Sequence, residues 1–373
     1  MPTLAGGSAA RQELIKLSAY AAERSDLVQA SGGNTSVKSD DGTMWVKASG
    51  CTLADVAAGR GVATVDYASL WRAVDRGDAL AEWDRRCTST GGQGTLRPTM
   101  EVSLHGLLGR VVLHTHPLAA NAFLCAEGGQ AQVDALFGDR ADHLYVAYAM
   151  PGVELGLALW QVLAAGARVG APAPHVILLE NHGIVIHGDR ADEVIDAHER
   201  VIGVLTGALG SEAERLRRRP VHATARIPAD VRRAVLDAVP QRPALACVLA
   251  DSDGSRDILF PDAAVFCGPA PIILDDSAQA SVEAARRLAA GHLAAWGQAA
   301  RVWIWRDVAL CTGANPGEAD AVAEVWWAHA TVTRLTQQVG RPRPLPRESV
   351  GQLLRSEREA YRREVSARRV ERM

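Results

Sequence analysis

Cysteine is scarce: six in 373 residues, with no CxxC and no close pair. That excludes a dense disulfide framework and points to reduced thiols in a cytoplasmic compartment. No apolar run approaches the roughly 20 residues needed to span a bilayer, so no membrane association is expected. The opening MPTLAGGSAARQELIKL lacks a basic start followed by a long apolar stretch, and no signal peptide is expected there. Neither sign of charge dominates, since 40 Lys and Arg face 43 Asp and Glu for a formal net charge of −3. No global field therefore favours nucleic acid or an anionic membrane. Repeats, low-complexity tracts and a GxGxxG fingerprint after a strand are also missing, so a dinucleotide-binding domain is not expected downstream.

What is present is an ordinary globular composition, 48% apolar and 22% charged, in a chain long enough for two domains. Residues 11–30 carry Leu14, Leu17, Ala21 and Leu27 at helical spacing. SGGNTSVK and TMWVKASG then predict two short strands around a turn at Asp40-Asp41-Gly42. Helical patterns return at 66–83, in PTMEVSLHGLLGR, at 118–128, 153–168 and 190–209. Between them, VVLHTHP, YVAYAMPG and HVILLENHGIVIHG predict strands. This alternation favours an α/β fold with a mixed central sheet flanked by helices. We expect a first domain over 1–212, a charged boundary at SEAERLRRRP, a smaller α/β domain over 225–340 and a charged, solvated terminal helix over 341–373.

Two histidines in VVLHTHP stand two apart in an apolar strand, so His114 and His116 project from one face with Thr115 opposite. Such a pair suits a metal, yet it equally suits two satisfied core histidines. A third, His182 in LLENHGIVI, shifts the balance, because three imidazoles leave an open position on a tetrahedral ion. Gly183 beside it allows close approach or an unusual backbone angle. Glu101 lies on the first turns of the helix feeding the HxH strand and is within reach of such a site, where a dication would hold it ionised. A plain helix-start glutamate favoured by the dipole is the competing reading. His105 shares the Glu101 face and is either its neighbour in the site or an ordinary buried histidine, and His187 reads as structural.

Taken together, SGGNTSVK (31–38), VKASG (46–50), RPTMEVSLH (97–105), VVLHTHP (111–117), YAMPG (148–152) and ENHGIVIHG (180–188) resemble the class II aldolase/adducin family. They occur in the family's order across about 10–210, and they are most similar to the aldolase half of rhamnulose-phosphate aldolase/dehydrogenase fusions. The resemblance implies a mainly antiparallel sheet of the class II aldolase type. It implies zinc on His114, His116 and His182, with Mn2+, Co2+ or Fe2+ as alternatives, and Glu101 as the acid/base. Gly33, Asn34, Thr35, Ser49, Gly50 and Thr99 are implied to bind substrate phosphate and oxygens, and exposed amides and hydroxyls suit that task. Lys47 adjoins that loop. Met100 stands where fuculose-type aldolases carry a second hydroxyl residue. The family's leaving-group acid is a tyrosine from a neighbouring subunit, for which Tyr145 and Tyr148 are the candidates.

The implied activity is a zinc-dependent carbon-carbon lyase. It would cleave a ketose 1-phosphate into a three-carbon ketone, such as dihydroxyacetone phosphate, and an aldehyde through a metal-stabilised enediolate. Epimerisation, decarboxylation, an oxygenase on the same metal set, or a non-catalytic adducin-like interaction module remain the rivals. A small sugar or sugar phosphate is the expected partner. By analogy a homo-oligomer, typically a tetramer, is expected as well.

Overall fold

A computed structural model of the chain describes residues 7–69, 96–138, 143–168, 175–211, 226–249, 257–274 and 282–370. The helix expected over 66–83 and the charged boundary at 211–220 fall almost wholly outside these. The chain divides into two units, Met1–Leu124 with Gly128–Ala213, and Cys125–Glu127 with Glu214–Met373.

In chain order the first unit holds α1 (Gly7–Ala22), β1 (Asn34–Lys38), β2 (Thr43–Lys47), α2 (Leu53–Ala57), β3 (Val62–Asp66), α3 (Val102–Leu107) and β4 (Val111–Thr115). There follow α4 (Leu118–Leu124), α5 (Gly129–Phe137), β5 (His143–Val146), α6 (Val153–Arg168), β6 (Val176–Leu179), β7 (Gly183–Gly188) and α7 (Ala191–Ala208). The seven strands form one sheet in the order β3-β2-β1-β4-β7-β6-β5. Every neighbouring pair is antiparallel except β5 and β6, which makes this a mixed, mainly antiparallel sheet flanked by helices.

Strand β4 is the centre of this sheet and is buried along its whole length. The run of β-branched and apolar residues before His114 suits a strand covered on both faces. Its register sets the site, with His114 opposite Asn34 on β1 and opposite Val185 on β7. Helix α1 ends eight residues before the expected 30. The carbonyls of Asp26 and Leu27 are taken by the N–H groups of Leu118 and His116 at the end of β4, so a helix would have consumed acceptors that the strand end needs. Leu27 stays buried all the same. Strand β3 was not foreseen, being short and half-exposed.

The second unit holds α8 (Ala229–Ala238), β8 (Ala244–Leu249), a π-helical turn (Ala263–Cys267), β9 (Ile272–Leu274), α9 (Val282–Trp296), β10 (Val302–Trp305), β11 (Val308–Gly313), α10 (Pro316–Val339), α11 (Arg347–Arg355) and α12 (Glu357–Val370). Its sheet runs β8-β11-β10-β9, and Trp303, Leu310, Cys247 and Val235 lie in the core beneath α8 and α9. The π-helical turn is buried at every position. The tail differs from the solvated helix expected. It forms two helices, Leu353 and Glu359 are buried, and Arg362 grips Asp262 with both terminal nitrogens at 2.7 and 3.2 Å.

Candidate metal centre

Strand alternation puts His114 and His116 on one face, and the turn between β6 and β7 brings His182 onto them. The three ring centroids lie 4.8, 5.0 and 5.1 Å apart, and one nitrogen from each ring lies within 4.8 Å of the others. His114 Nδ1 is 3.0 Å from the Ile184 carbonyl. A carbonyl only accepts, so Nδ1 carries the proton and Nε2 keeps its lone pair for the cluster. His116 Nε2 lies 3.0 Å from that atom, near the ~3.3 Å separating two nitrogens on a tetrahedral ion with Zn–N bonds of about 2.0–2.1 Å.

The turn that delivers His182 depends on Gly183. A Cβ there would stand 2.3 Å from the Thr115 carbonyl and 3.0 Å from the His116 ring, so close approach is the reason for glycine. Asn181 takes the left-handed conformation, φ 53°, which asparagine tolerates better than most residues. The Asn121 amide donates to the His182 carbonyl at 3.2 Å. On the other flank of β4, a Cβ on Gly33 would meet the His114 carbonyl at 2.9 Å.

Glu101 occupies the N-cap position of α3, one residue ahead of the helix, and its side chain caps nothing. Instead Oε1 lies 3.2 Å from His182 Nε2 and Oε2 3.4 Å from His114 Nε2. Oε2 accepts from the Asn34 amide at 2.8 Å, whereas Oε1, fully shielded, accepts no hydrogen bond. Burial pulls the carboxyl pKa up, but the His114 and His182 imidazoles and the Asn34 hydrogen bond outweigh it and hold it at about 2. The donor set therefore fits a divalent cation, with three imidazole nitrogens, a carboxylate at ligand spacing, and a shielded anionic oxygen lacking a proton donor.

Asn34 is itself held. Its Nδ2 also donates to Thr99 Oγ1 at 3.2 Å, and its Oδ1 bonds His105 Nε2, whose Nδ1 meets Ser36 Oγ at 2.7 Å. Burial pushes the His105 pKa down to about 3, so the ring is neutral and hands its one proton to the string. Behind β4, Thr115 Oγ1 bonds His198 Nε2 at 2.7 Å and the Tyr20 hydroxyl bonds His198 Nδ1 at 2.8 Å.

Of the residues expected at the site, Asn34, Thr99, Glu101, His114, His116 and His182 are brought together. Thr35 is not, because alternation along β1 turns its hydroxyl to Ser18 at 2.7 Å. Gly33, Ser49 and Gly50 lie in adjoining loops. The Lys47 ammonium holds these by donating to the Ser31 and Cys51 carbonyls at 3.0 and 2.7 Å, while Ser49 N–H pairs with Arg97 O. Described bonds of Tyr148 run elsewhere, its hydroxyl to Met150 Sδ at 3.5 Å and its N–H to Glu180 at 2.9 Å. Tyr145 also bonds Glu180. The supporting roles of Ser36 and His198 escaped the sequence reading, which left His105 open as either a neighbour of Glu101 in the site or an ordinary buried histidine. Their signals were Ser36 two residues after Asn34 on one strand face, and His198 in register with the apolar stripe Val194, Val201, Ile202 and Leu205.

A three-histidine cluster with a carboxylate on a mainly antiparallel sheet defines the class. The chain belongs to the class II aldolase and adducin N-terminal domain family, whose model matches residues 12–205. An uncharacterized oxidoreductase of Bacillus subtilis (strain 168), YuxG, is 27% identical over 220 residues, covering 55% of this chain and 30% of that protein. Among solved structures, the N-terminal class II aldolase domain of a conserved Thermoplasma acidophilum protein is similar at 22% identity. It covers 53% of this chain and 92% of that one, with a TM-score of 0.44. A sugar-phosphate aldolase from Thermotoga maritima is similar at 17% identity, 54% and 96% coverage and a TM-score of 0.39.

Proposed function

We propose that the chain is a metal-dependent aldolase that reversibly cleaves a ketose 1-phosphate, or a similar ketose, into a three-carbon ketone such as dihydroxyacetone phosphate and an aldehyde. The observation that carries this reading is Glu101, buried against His114 and His182 at hydrogen-bond range yet leaving one oxygen without a donor. Zinc or a similar divalent ion on His114, His116 and His182 would supply Lewis acidity toward the ketone oxygens and the charge left by bond cleavage. Glu101, kept ionised, takes the proton from the nucleophilic carbon of the ketone in the synthetic direction and returns it in cleavage. Asn34 fixes the carboxylate, with His105 fixing Asn34. The Gly33 and Gly50 amides and the Ser49 and Thr99 hydroxyls would provide donors for phosphate and sugar oxygens.

The test is Glu101→Gln. The variant should keep its metal but lose hydrogen exchange at dihydroxyacetone phosphate by about 10²–10⁴-fold, the usual worth of a positioned base. Unchanged exchange with metal present would refute the role. Release of dihydroxyacetone phosphate from a panel of ketoses, with and without phosphate, separates cleavage from epimerisation and decarboxylation on the same centre. Metal analysis of the purified protein separates all three from an adducin-like interaction module.

A further inference from the structure

An imidazole that gives one ring nitrogen to a cation keeps a proton on the other, and that N–H needs an acceptor. For His114 the acceptor is the Ile184 carbonyl, 3.0 Å from Nδ1. His182 turns Nε2 to the centre, 3.2 Å from Glu101 Oε1. Its Nδ1 is therefore the nitrogen that carries the proton once Nε2 gives its lone pair to a cation. Strand pairing supplies no acceptor for it by rule, because His182 lies in the turn between β6 and β7.

Asn121 meets that turn. It lies on α4, the helix that begins two residues after His116, and is 1% exposed. Its Nδ2 donates to the His182 carbonyl at 3.2 Å, and its own N–H donates to the Pro117 carbonyl at 2.9 Å. Its Oδ1, by contrast, is shielded from solvent and accepts no hydrogen bond. Such an oxygen costs free energy comparable to a lost hydrogen bond. Turning the amide over would set Oδ1 against the His182 carbonyl, acceptor to acceptor, so the orientation stands.

Packing does not explain the residue either. Every position of α4 is buried, and in LAANAFL the other six residues are apolar. Asn121 is the one polar side chain of the helix, and the planar amide pinned to the His182 main chain carries a spare acceptor alongside it.

We propose that Asn121 is a positioning residue of the metal centre: in the loaded protein its Oδ1 accepts the Nδ1 proton of His182 and so fixes the tautomer and ring angle of that ligand. Loading completes this bond, since it calls for a proton at Nδ1, which a cation on Nε2 demands. Helix α4 then ties the third ligand to the segment that carries the other two. The proposal rests on the metal reading of the three histidines, and it holds whichever reaction runs there.

Zinc affinity of the full chain, read by competition with a chelator, is paired with thermal unfolding of the metal-free protein. Asn121→Leu removes donor and acceptor together. It should lower the metal-free midpoint and weaken zinc binding about 10–100-fold, the usual worth of a group that orients a ligand. Asn121→Asp removes the donor but keeps an acceptor. Its metal-free midpoint should fall too, while zinc binding stays at least as tight as in the parent. A purely structural amide would not give that split, because loss of the Nδ2 bond alone weakens zinc binding in both variants. Asn121→Ala adds no bulk and carries the first arm if the leucine variant folds poorly. All affinities are compared below the lowest metal-free midpoint. Parent-like zinc binding without the amide, or an aspartate variant as weak as the leucine one, would overturn the proposal. A parent chain that binds no divalent ion overturns the metal reading itself, and the role of Asn121 with it.

Discussion

The cluster of side chains at the centre of β4 followed from spacing. Two residues apart in a strand means one face, which fixed His114 with His116 before any coordinates. The same rule separates Asn34 from Thr35, and grouping both with the substrate loop overlooked it. Glu101 needed tertiary information, because only the structure shows a helix-start carboxylate that ignores its own helix to meet two imidazoles. Gly183 offers the sharpest residue-scale prediction. Gly183→Ala must move either the Thr115 carbonyl or the His116 ring. It should cost about 1–3 kcal/mol of stability, the usual range for an overpacked site, and lower metal affinity in the same variant. Thermal unfolding with and without chelator reads both effects, and a variant with unaltered metal affinity would show that β7 can retreat without disturbing the centre.

Among the elements, the short helix α3 is held at both ends by β1. Its start carries Glu101, bonded to Asn34. Its end is closed by Lys38, whose ammonium donates to the carbonyls of His105, Leu108 and Gly109, the first and last at 2.8 Å. Burial pulls the Lys38 pKa down to about 7, while a cation at a helix C-terminus and 5.3 Å from the Tyr67 ring is favoured. Lys38→Met leaves the Leu108 and Gly109 carbonyls without this donor and should cost about 2–6 kcal/mol, from a net 1–3 kcal/mol per buried group left unmatched. It should also lower kcat, because α3 positions Glu101. Urea unfolding and steady-state kinetics on one preparation check both. Periodicity made α6 and α7 legible nearly to the residue, since each shows an amphipathic stripe. It overran α1, where pairing with β4 claims the carbonyls of Asp26 and Leu27. It also missed β3 and β9, which are too brief to register, and β11, which is buried at all six positions and so shows no alternation.

Across the whole molecule, each unit encloses a histidine kept neutral by burial. His198 in the first has its pKa lowered to about 3, with the Arg24 charge adding to burial, and His329 in the second has it lowered to about 4 despite its bond to the Asp257 carbonyl. Unfolding restores both toward 6.5, so the unfolded chain binds more protons below that pH. Stability should then fall as pH drops from 6.5 toward 4, by up to about 1.4 kcal/mol per pH unit for each group. His198→Gln should remove one proton's worth of slope in the first unit and leave the second unchanged. Denaturant midpoints across that pH range, followed by segment-resolved hydrogen exchange, measure the two separately, and an unaltered slope would show that His198 is already charged in the fold. The division into a sheet of seven strands and a sheet of four matters to the experiment, since one transition need not report both.

Gly33 and Gly183 lie against β4 from opposite neighbours, at spacings that admit no Cβ on either flank of the strand that sets the paired imidazoles. Adapting such a protein to a different ion or a different sugar is then not a matter of shifting those ligands. Selection would have to work through what lies outside the vise: the Ile184 carbonyl that sets the His114 tautomer, the Asn34 amide on Glu101, and the loops proposed to meet the rest of the substrate.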